Sequence, residues 1–328
     1  MNTTINKLGV FTSGGDAPGM NAAIRAVVRA SIYYDKEIYG IMRGYEGMID
    51  DEIVKLGARS VGNILQRGGT VLKSARSDAF RTPEGREKAY QNLKKNGIDG
   101  LIAIGGDGTF NGLHKFYEEF KLPSICIPGT IDNDIPGSDY TIGFDTATNT
   151  AVEAIDRIRD TALSHNRLFF VEVMGRHSGA IGLNSGVAGG AVGIVIPEET
   201  TTMEELFSKL DEGGRTNKKS SLIVVAEGSK LGGALELSKR FAERNNYFDI
   251  KVTILGHLQR GGPPTYFDRV LASKMGVAAV EELLNGRNDV MVGFRENKIV
   301  FNSHEFVSSR KHHDLDSELL RISKILSI

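Results

Sequence analysis

The stretch LGVFTSGGDAPGM, residues 8–20, decides the fold class because a short apolar run leads directly into a loop rich in glycine. A helical pattern follows from Met20 to Ile32. Similar apolar runs followed by glycine-containing loops recur at 101–104, 125–127, 168–173, 222–226 and 252–255. Continuous apolar strands that alternate with helices indicate mostly parallel sheets covered by helices. The sequence therefore predicts an α/β fold with ligands bound at the carboxyl ends of the strands.

Composition limits the class of protein. The chain has 328 residues, a net charge of −1, 40% hydrophobic residues and one cysteine. At about 100–200 residues per domain, this length predicts two domains. Balanced charge argues against a partner that is a nucleic acid or a membrane surface. Cys126 alone excludes a disulfide framework, and with no apolar signal or spanning segment we expect a cytoplasmic protein.

Two loops have the composition of phosphate-binding sites. Residues 13–16 and 105–109 each contain Gly-Gly-Asp between a strand and the start of a helix. Glycines let the backbone approach an anion, and a helix N-terminus offers N–H donors. Asp107 would repel phosphate unless a metal intervened, and Mg²⁺ prefers one or two carboxylates plus phosphate oxygens. The alternative is a tight turn in which the aspartate caps the helix.

Two carboxylates lie two residues apart in Thr130-Ile131-Asp132-Asn133-Asp134. Phosphoryl transfer to a hydroxyl needs a base near the nucleophile and a metal or cation near the phosphates. One of the two aspartates could act as the base, while the other holds a metal or orients a cation. The alternative is an Asx-rich turn that caps the next helix.

Basic residues near strand ends are candidates for phosphate recognition because a guanidinium binds phosphate through two hydrogen bonds. The loop GHLQRGG, residues 256–262, is the most suggestive, while any single arginine can be a surface residue. Arg25 and Arg29, four apart on one helix, form either a solvated face or a second anion site. The loop candidates are Arg67, Arg76, Arg167, Arg176, His257 and Arg260.

Taken together, these motifs resemble the bacterial 6-phosphofructokinase family. The resemblance runs from about Lys7 to about Gly293, and residues 299–328 match poorly. It rests on five ordered stretches at 12–21, 105–109, 128–134, 174–176 and 256–262. The family implies an allosteric glycolytic kinase that transfers the γ-phosphoryl of Mg·ATP to the 1-hydroxyl of fructose 6-phosphate. It also implies a homotetramer whose active sites are shared between subunits.

The resemblance implies two Rossmann-like domains with the active site in the cleft between them. Residues 1–142 plus 258–307 would form a larger ATP-binding domain, and 143–257 plus 308–328 a smaller sugar-phosphate-binding domain.

The resemblance also implies roles for individual residues, with Asp132 as the base and Thr130, Arg76 and Arg176 as the other catalytic residues. ATP would contact Gly15, Arg76, Ser77, Gly106, Asp107, Gly108 and Thr109. Mg²⁺ would contact Asp107 and Asp134. The sugar phosphate would contact Thr130, Ile131, Asp132, Arg167, Met174, Gly175, Arg176, Glu227, Lys251, His257, Leu258, Gln259 and Arg260, with Arg167 and Lys251 reaching in from a neighbouring subunit. An effector would contact Arg25, Arg29, Arg159 and Lys218.

Three positions depart from the family. Lys251 replaces a usual arginine, so a bidentate fork becomes a point charge. Val192 replaces a glutamate of the effector site, and Thr216 stands where a basic residue is common. We expect this pocket to bind an anion without the usual response to metal–ADP or phosphoenolpyruvate.

The phosphoryl donor is predicted from two glycines. Related pyrophosphate-dependent enzymes typically carry Asp where this chain has Gly108 and Lys where it has Gly129, so we expect ATP as the donor. A pyrophosphate-dependent enzyme, a relative of NAD or lipid kinases and a non-catalytic nucleotide-binding regulatory subunit are the alternatives. The last should have lost Asp132 or Asp107, and NAD and lipid kinases lack the 256–262 loop. Fructose and tagatose 6-phosphate are not distinguished.

Overall fold

Parallel strands that end in glycine-containing loops organise the structure, a computed structural model that describes residues 5–162, 167–215, 220–244, 248–309 and 315–326. The strands are β1 (Lys7–Thr12), β2 (Glu37–Ile41), β3 (Ile53–Leu56), β4 (Gly100–Gly105), β5 (Ser124–Pro128), β6 (Arg167–Val173), β7 (Gly193–Val195), β8 (Ser220–Ala226), β9 (Asp249–Ile254), β10 (Val290–Arg295) and β11 (Lys298–Ser303).

Helices connect most of these strands. They are α1 (Met20–Tyr33), α2 (Tyr45–Ile49), α3 (Pro83–Asn96), α4 (Asp107–Phe120), α5 (Phe144–Ala162), α6 (Ala180–Ala188), α7 (Met203–Arg215), α8 (Ala234–Arg244), α9 (Tyr266–Leu284), α10 (His304–Ser309) and α11 (Ser317–Leu326). Short 3-10 helices lie at Ala79–Arg81 and Gly256–Arg260.

The first sheet has the order β11-β10-β5-β4-β1-β2-β3. Its inner pairs are parallel, while β3 and β11 pair antiparallel at the two edges. Strand β4 is buried along its whole length, as expected of a strand covered by helices on both faces. Helices α1 and α9 pack so closely that a Cβ at Gly276 of α9 would lie only 2.6 Å from the Cβ of Ala26 in α1.

The second sheet has the order β7-β8-β6-β9, and all its pairs are parallel. Its core contains Phe170 and Val225 from the strands and Leu237 and Phe241 from α8. The prediction of an α/β fold with mostly parallel sheets covered by helices is therefore confirmed.

The described chain divides into two units, each with one of the sheets. The first takes its residues from Met1–Ile131, Ile135–Asp145 and Arg260–His313, and the second from Asp132–Asp134, Thr146–Gln259 and Asp314–Ile328. Within the described ranges, the helices are all too short or too polar to cross a membrane.

Cys126 lies in the core of the first unit. It is fully buried in β5, and burial raises the pKa of its thiol well above the ordinary value, with the Asp107 carboxylate adding to the shift. The thiol is therefore protonated and shielded, as the apolar surroundings in the sequence predict.

Candidate active site

The two predicted phosphate loops meet at the ends of β1 and β4, which are neighbours in the sheet. The Ser13 N–H donates to the Ile104 carbonyl at 3.0 Å. In return, the buried Thr109 hydroxyl donates to the Ser13 carbonyl at 3.2 Å. The Tyr45 hydroxyl donates to the Thr109 carbonyl at 2.6 Å. These bonds join the loops into one surface beside the N-terminus of α4.

Two glycines of the second loop have opposite surroundings. A Cβ at Gly105 would lie 2.3 Å from Thr109 Oγ1 and 2.5 Å from the Ser13 carbonyl oxygen, so only glycine fits without movement. A Cβ at Gly108 would meet nothing within 4 Å. Gly105 therefore lets the loops close on each other, while Gly108 leaves open space above the first turn of α4.

The buried Asn21, the last residue of the 12–21 stretch, holds a third loop, a role that the sequence did not predict. The Asn21 side chain donates to the carbonyls of Arg67 and Gly68 and accepts from the Val71 N–H at 2.8 Å. Gly68 in turn packs on the Gly262 carbonyl, only 2.3 Å from where a Cβ would lie. The only signal in the sequence is an amide within the otherwise apolar start of α1.

Arg260 lies against the first phosphate loop. Its Nη1 donates to the Asp16 carbonyl at 3.0 Å, and its guanidinium occupies the space a side chain at Gly15 would fill. The structure thus brings a residue predicted to bind the sugar phosphate next to a residue predicted to bind ATP.

The Thr130–Asp134 segment is held at its start. The Thr130 N–H donates to the Ile142 carbonyl at 3.1 Å, and the Thr141 hydroxyl donates to the Thr130 carbonyl at 2.7 Å. Asp132 is only 5% exposed, whereas Asp134 is half-buried. A carboxylate so shielded from water can act as a base when a substrate hydroxyl reaches it.

Loops after β6 and β8 form a cluster in the second unit. The Met174 N–H donates to Gln259 Oε1 at 2.9 Å, and the Arg176 N–H donates to Glu227 Oε1 at 2.8 Å. Arg176 has a φ of 51°, an uncommon conformation for a residue with a side chain, and its own side chain is exposed. A Cβ at Gly228 would lie 1.7 Å from the Arg176 carbonyl oxygen. Gln259 is fully buried and links the loops.

Two other predicted sugar-phosphate residues lie away from these loops in the same sheet, Arg167 at the start of β6 and Lys251 beside Phe169 in the first half of β9. Arg167 begins β6, whereas Met174 follows its end, a separation of about 23 Å at 3.3 Å per residue. Arg167 and Lys251 share the Asp249 carboxylate, at 3.2 and 2.7 Å. These cations hold the pKa of Asp249 below its ordinary value, Lys251 most strongly. Within one chain they are therefore not brought to the other loops.

Among the remaining predicted nucleotide and sugar contacts, Ile131 is fully buried, whereas several other side chains are accessible. Arg76, His257 and Leu258 are exposed, and Ser77 is half-buried, with its hydroxyl accepting from the Phe80 N–H. Exposure leaves these side chains available to a ligand.

Of the two carboxylates predicted to contact Mg²⁺, Asp107 is exposed at the first residue of α4 and Asp134 is half-buried. Among the described residues, no cluster of three or more histidine, cysteine or acidic side chains forms a metal site. A carboxylate beside the two predicted phosphate loops fits Mg²⁺ that would arrive with a nucleotide, since Mg²⁺ needs few protein ligands.

The predicted effector residues are divided among several elements. Arg25 is half-buried and Arg29 exposed on α1. The Arg159 guanidinium donates to the carbonyls of Gly189 and Gly190, after α6. Lys218 and Thr216 lie outside the described residues.

Comparison with known proteins gives a consistent picture. The family model described as phosphofructokinase matches residues 7–283. ATP-dependent 6-phosphofructokinase 1 of Thermus thermophilus is 55% identical over 325 residues, which cover 99% of this chain and all of the relative. ATP-dependent 6-phosphofructokinase of Bacillus pumilus is 52% identical over 324 residues, with 99% and 100% coverage.

Solved structures have the same fold. Phosphofructokinase from Saccharomyces cerevisiae superposes with a TM-score of 0.87 at 35% identity, covering 98% of this chain and 48% of the yeast chain. A pyrophosphate-dependent phosphofructokinase from Marinobacter aquaeolei gives a TM-score of 0.85 at 22% identity, covering 96% of this chain and 86% of that chain. At that identity the likeness concerns the fold alone.

Proposed function

The chain belongs to the phosphofructokinase family, and on that premise we propose that it is an ATP-dependent 6-phosphofructokinase. It converts fructose 6-phosphate and ATP to fructose 1,6-bisphosphate and ADP in glycolysis. The observation that carries the choice of donor is the joined pair of phosphate loops with open space at Gly108. The proposal includes a cytoplasmic location, which cell fractionation tests.

In the proposed reaction, Asp132 accepts the proton of the substrate 1-hydroxyl as its oxygen attacks the γ-phosphorus. A P–O bond to the sugar forms while the bond to the β-phosphate oxygen breaks, and ADP leaves. The proton on Asp132 then returns to solvent. Burial suits Asp132 to this role because it keeps bulk water from competing for the base.

The charge on the moving phosphoryl group is balanced by cations and donors. Arg76 and Arg176 supply guanidinium groups, and Thr130 supplies a hydroxyl. Mg²⁺, when bound, neutralises phosphate charge, and Asp107 with Asp134 would hold it. Gly15, Ser77, Gly106, Gly108 and Thr109 line the nucleotide in this proposal.

The sugar phosphate is held by the loops after β6, β8 and β9. The proposed contacts in one chain are Ile131, Met174, Gly175, Arg176, Glu227, His257, Leu258, Gln259 and Arg260. Arg167 and Lys251 are expected to complete the site of a neighbouring subunit, because Arg167 lies at the start of β6 and Lys251 in the first half of β9, away from the loops that follow these strands. A homotetramer with shared sites is therefore part of the proposal.

Donor specificity gives the first test. In a coupled assay with fructose 6-phosphate, we expect turnover with Mg·ATP and at least about 100-fold less with pyrophosphate. The ratio of the two kcat/KM values measures how differently the site binds the two transition states. Gly108→Asp should lower kcat/KM for ATP by about 100-fold, because a carboxylate there would repel the nucleotide phosphates. The chain should tolerate the new side chain, since its Cβ meets no protein atom.

Gly129 is less suited than Gly108 to a test of donor preference. A Cβ at Gly129 would lie 3.0 Å from Ile104 Cγ2 and 3.2 Å from Met20 Cε, so a lysine there would be crowded and its effect on folding would mix with any effect on the donor. Wild-type activity with pyrophosphate equal to that with ATP would contradict the proposed donor.

Regulation gives the second test. Val192 removes a carboxylate from the proposed effector pocket, so the site should bind an anion without coupling it to catalysis. Fructose 6-phosphate saturation curves measured with and without ADP or phosphoenolpyruvate are expected to superimpose. Strong activation by ADP would contradict this proposal.

A further inference from the structure

A side-chain network extends from Asp107 to a helix that the proposed mechanism does not use. One turn along α4, Asn111 Nδ2 donates to Asp107 Oδ2 at 3.0 Å. Asn111 Oδ1 lies 2.8 Å from Nε2 of His304, the first residue of α10. Because the amide oxygen can only accept, the imidazole must donate through Nε2–H.

The His304 ring is itself held on two sides. It stacks on the His114 ring with 3.6 Å between centroids and 4° between planes. The edge of Phe110 contacts it at a centroid distance of 5.2 Å. His114 Nδ1 lies 2.9 Å from both carboxylate oxygens of Asp289, and these contacts hold the His114 ring in place beneath His304.

The environment favours neutral His304. Burial lowers the pKa of His304 below its ordinary value, and the neighbouring His114 lowers it further. The carboxylates of Asp289, Asp107 and Glu118 act in the opposite direction without overcoming the decrease. A neutral ring that donates through Nε2–H keeps its other nitrogen unprotonated.

An asparagine amide has a donor end and an acceptor end, so one partner determines the orientation seen by the other. His304 Nε2–H pairs with Asn111 Oδ1, which turns Asn111 Nδ2 towards Asp107. With the amide reversed, its oxygen would face the carboxylate and repel it. Both bonds therefore restrict rotation of the Asp107 carboxylate.

We propose that His304 is a positioning residue that acts through Asn111 to hold the Asp107 carboxylate ready for the metal–nucleotide complex. This inference rests on the proposed function, in which Asp107 contacts Mg²⁺. His304 touches neither the substrate nor the metal in this scheme. Its contribution is the orientation of one oxygen pair at the start of α4.

The test compares two substitutions at one position. His304→Leu removes the donor, and His304→Gln keeps an N–H donor at similar reach. Loss of a partner that orients a metal ligand typically weakens metal binding by about 10–100-fold, and the exposure of Asn111 favours the lower end. We expect His304→Leu to raise the KM for Mg·ATP about 10-fold with kcat and the KM for fructose 6-phosphate nearly unchanged. His304→Gln should stay within about twofold of the wild type.

A binding measurement separates the effect from turnover. Mn²⁺ titrated by electron paramagnetic resonance, in the presence of a non-hydrolysable ATP analogue, should bind His304→Leu about 10-fold more weakly than wild type. Asn111→Ala should give the same loss. The double variant should be no worse than either single variant, because both substitutions break one chain of bonds.

The control variant is Glu305→Gln, on the next residue of α10, which should leave Mn²⁺ binding unchanged. Wild-type Mn²⁺ affinity in both His304→Leu and Asn111→Ala, or equal losses in His304→Leu and His304→Gln, would overturn the inference. Failure of the proposed function looks different, since the wild-type chain would then show no ATP-dependent phosphorylation of fructose 6-phosphate, whatever the Mn²⁺ affinities of the variants. If His304→Leu does not fold, Asn111→Ala, on the exposed face of α4, decides the outcome.

Discussion

Replacing Asp132 with serine is expected to lower kcat by about 10²–10⁴-fold, the usual contribution of a general base. The KM for Mg·ATP should change little, because Asp132 acts on the sugar hydroxyl rather than on the nucleotide. Asp132 is almost completely buried in the middle of the Thr130–Asp134 segment, whose first residue is fixed by backbone and side-chain hydrogen bonds. Steady-state kinetics with both substrates varied would measure the two effects separately.

A matched control is available in Asp156→Ser. Asp156 is exposed on α5 and has no proposed role, so kcat should remain within about twofold of the wild type, as for surface substitutions in general. Turnover of Asp132→Ser close to that of the wild type would remove Asp132 from the mechanism. A fall in kcat with unchanged thermal unfolding would show that the loss is chemical.

The same variant tests whether active sites are shared between subunits. If Lys251 serves a neighbouring subunit, mixed oligomers of Asp132→Ser and Lys251→Ala chains contain some sites with neither substitution. Hybrids formed by dissociation and reassociation should then recover activity that each parent lacks. No recovery in verified hybrids would place Lys251 in the site of its own chain or outside the site altogether.

The sheets were largely predictable because their inner strands are continuous apolar runs. Strands β1, β4, β5, β6 and β8 each coincide with a run identified in the sequence, whereas the edge strand β9 begins three residues before its run. Strands β2 and β3 were not identified because they are short, partly exposed and toward an edge, and the charged residues Glu37 and Lys55 interrupt their apolar residues. Short or edge strands carry a weaker pattern than buried ones.

The candidate site was predictable where a motif combines glycine with a charged residue, and not where single polar side chains hold the loops. Glycine makes up 39 residues where about 23 would be average, and much of this surplus lies in the loops at the strand ends. Asn21 ends the 12–21 stretch without a predicted role, and Asn111 and His304 belong to no motif. The partners of Asn21 and His304 are 46–50 and 193 residues away in the chain, so only the fold brings them together, and Asn111 joins His304 to Asp107 one helical turn away.

Gly105→Ala is expected to damage both stability and nucleotide use. Its Cβ would lie 2.3 Å from Thr109 Oγ1 and 2.5 Å from the Ser13 carbonyl oxygen, and the second of these is backbone that cannot rotate away. Overpacking of this kind costs about 1–3 kcal/mol. Relief of the clash must separate Thr109 from Ser13, which breaks the bond joining the two phosphate loops. A misplacement of about 1 Å can cost 10²-fold in rate, so kcat/KM for ATP should fall by about that factor.

Gly108→Ala, three residues later, is the matched comparison for stability. Its methyl group meets nothing within 4 Å and lies in the first turn of α4, so it should stabilise the chain by about 0.4–1 kcal/mol by restricting the unfolded state. The same chemical change should therefore shift the midpoint of thermal unfolding down at residue 105 and up at residue 108. Equal shifts in one direction would contradict the close approach of the two loops, because a methyl group would then meet similar surroundings at both positions. A drop in ATP use at residue 105 without a drop in stability would instead mean that the loops separate freely, and that their hydrogen bond contributes to binding but not to folding.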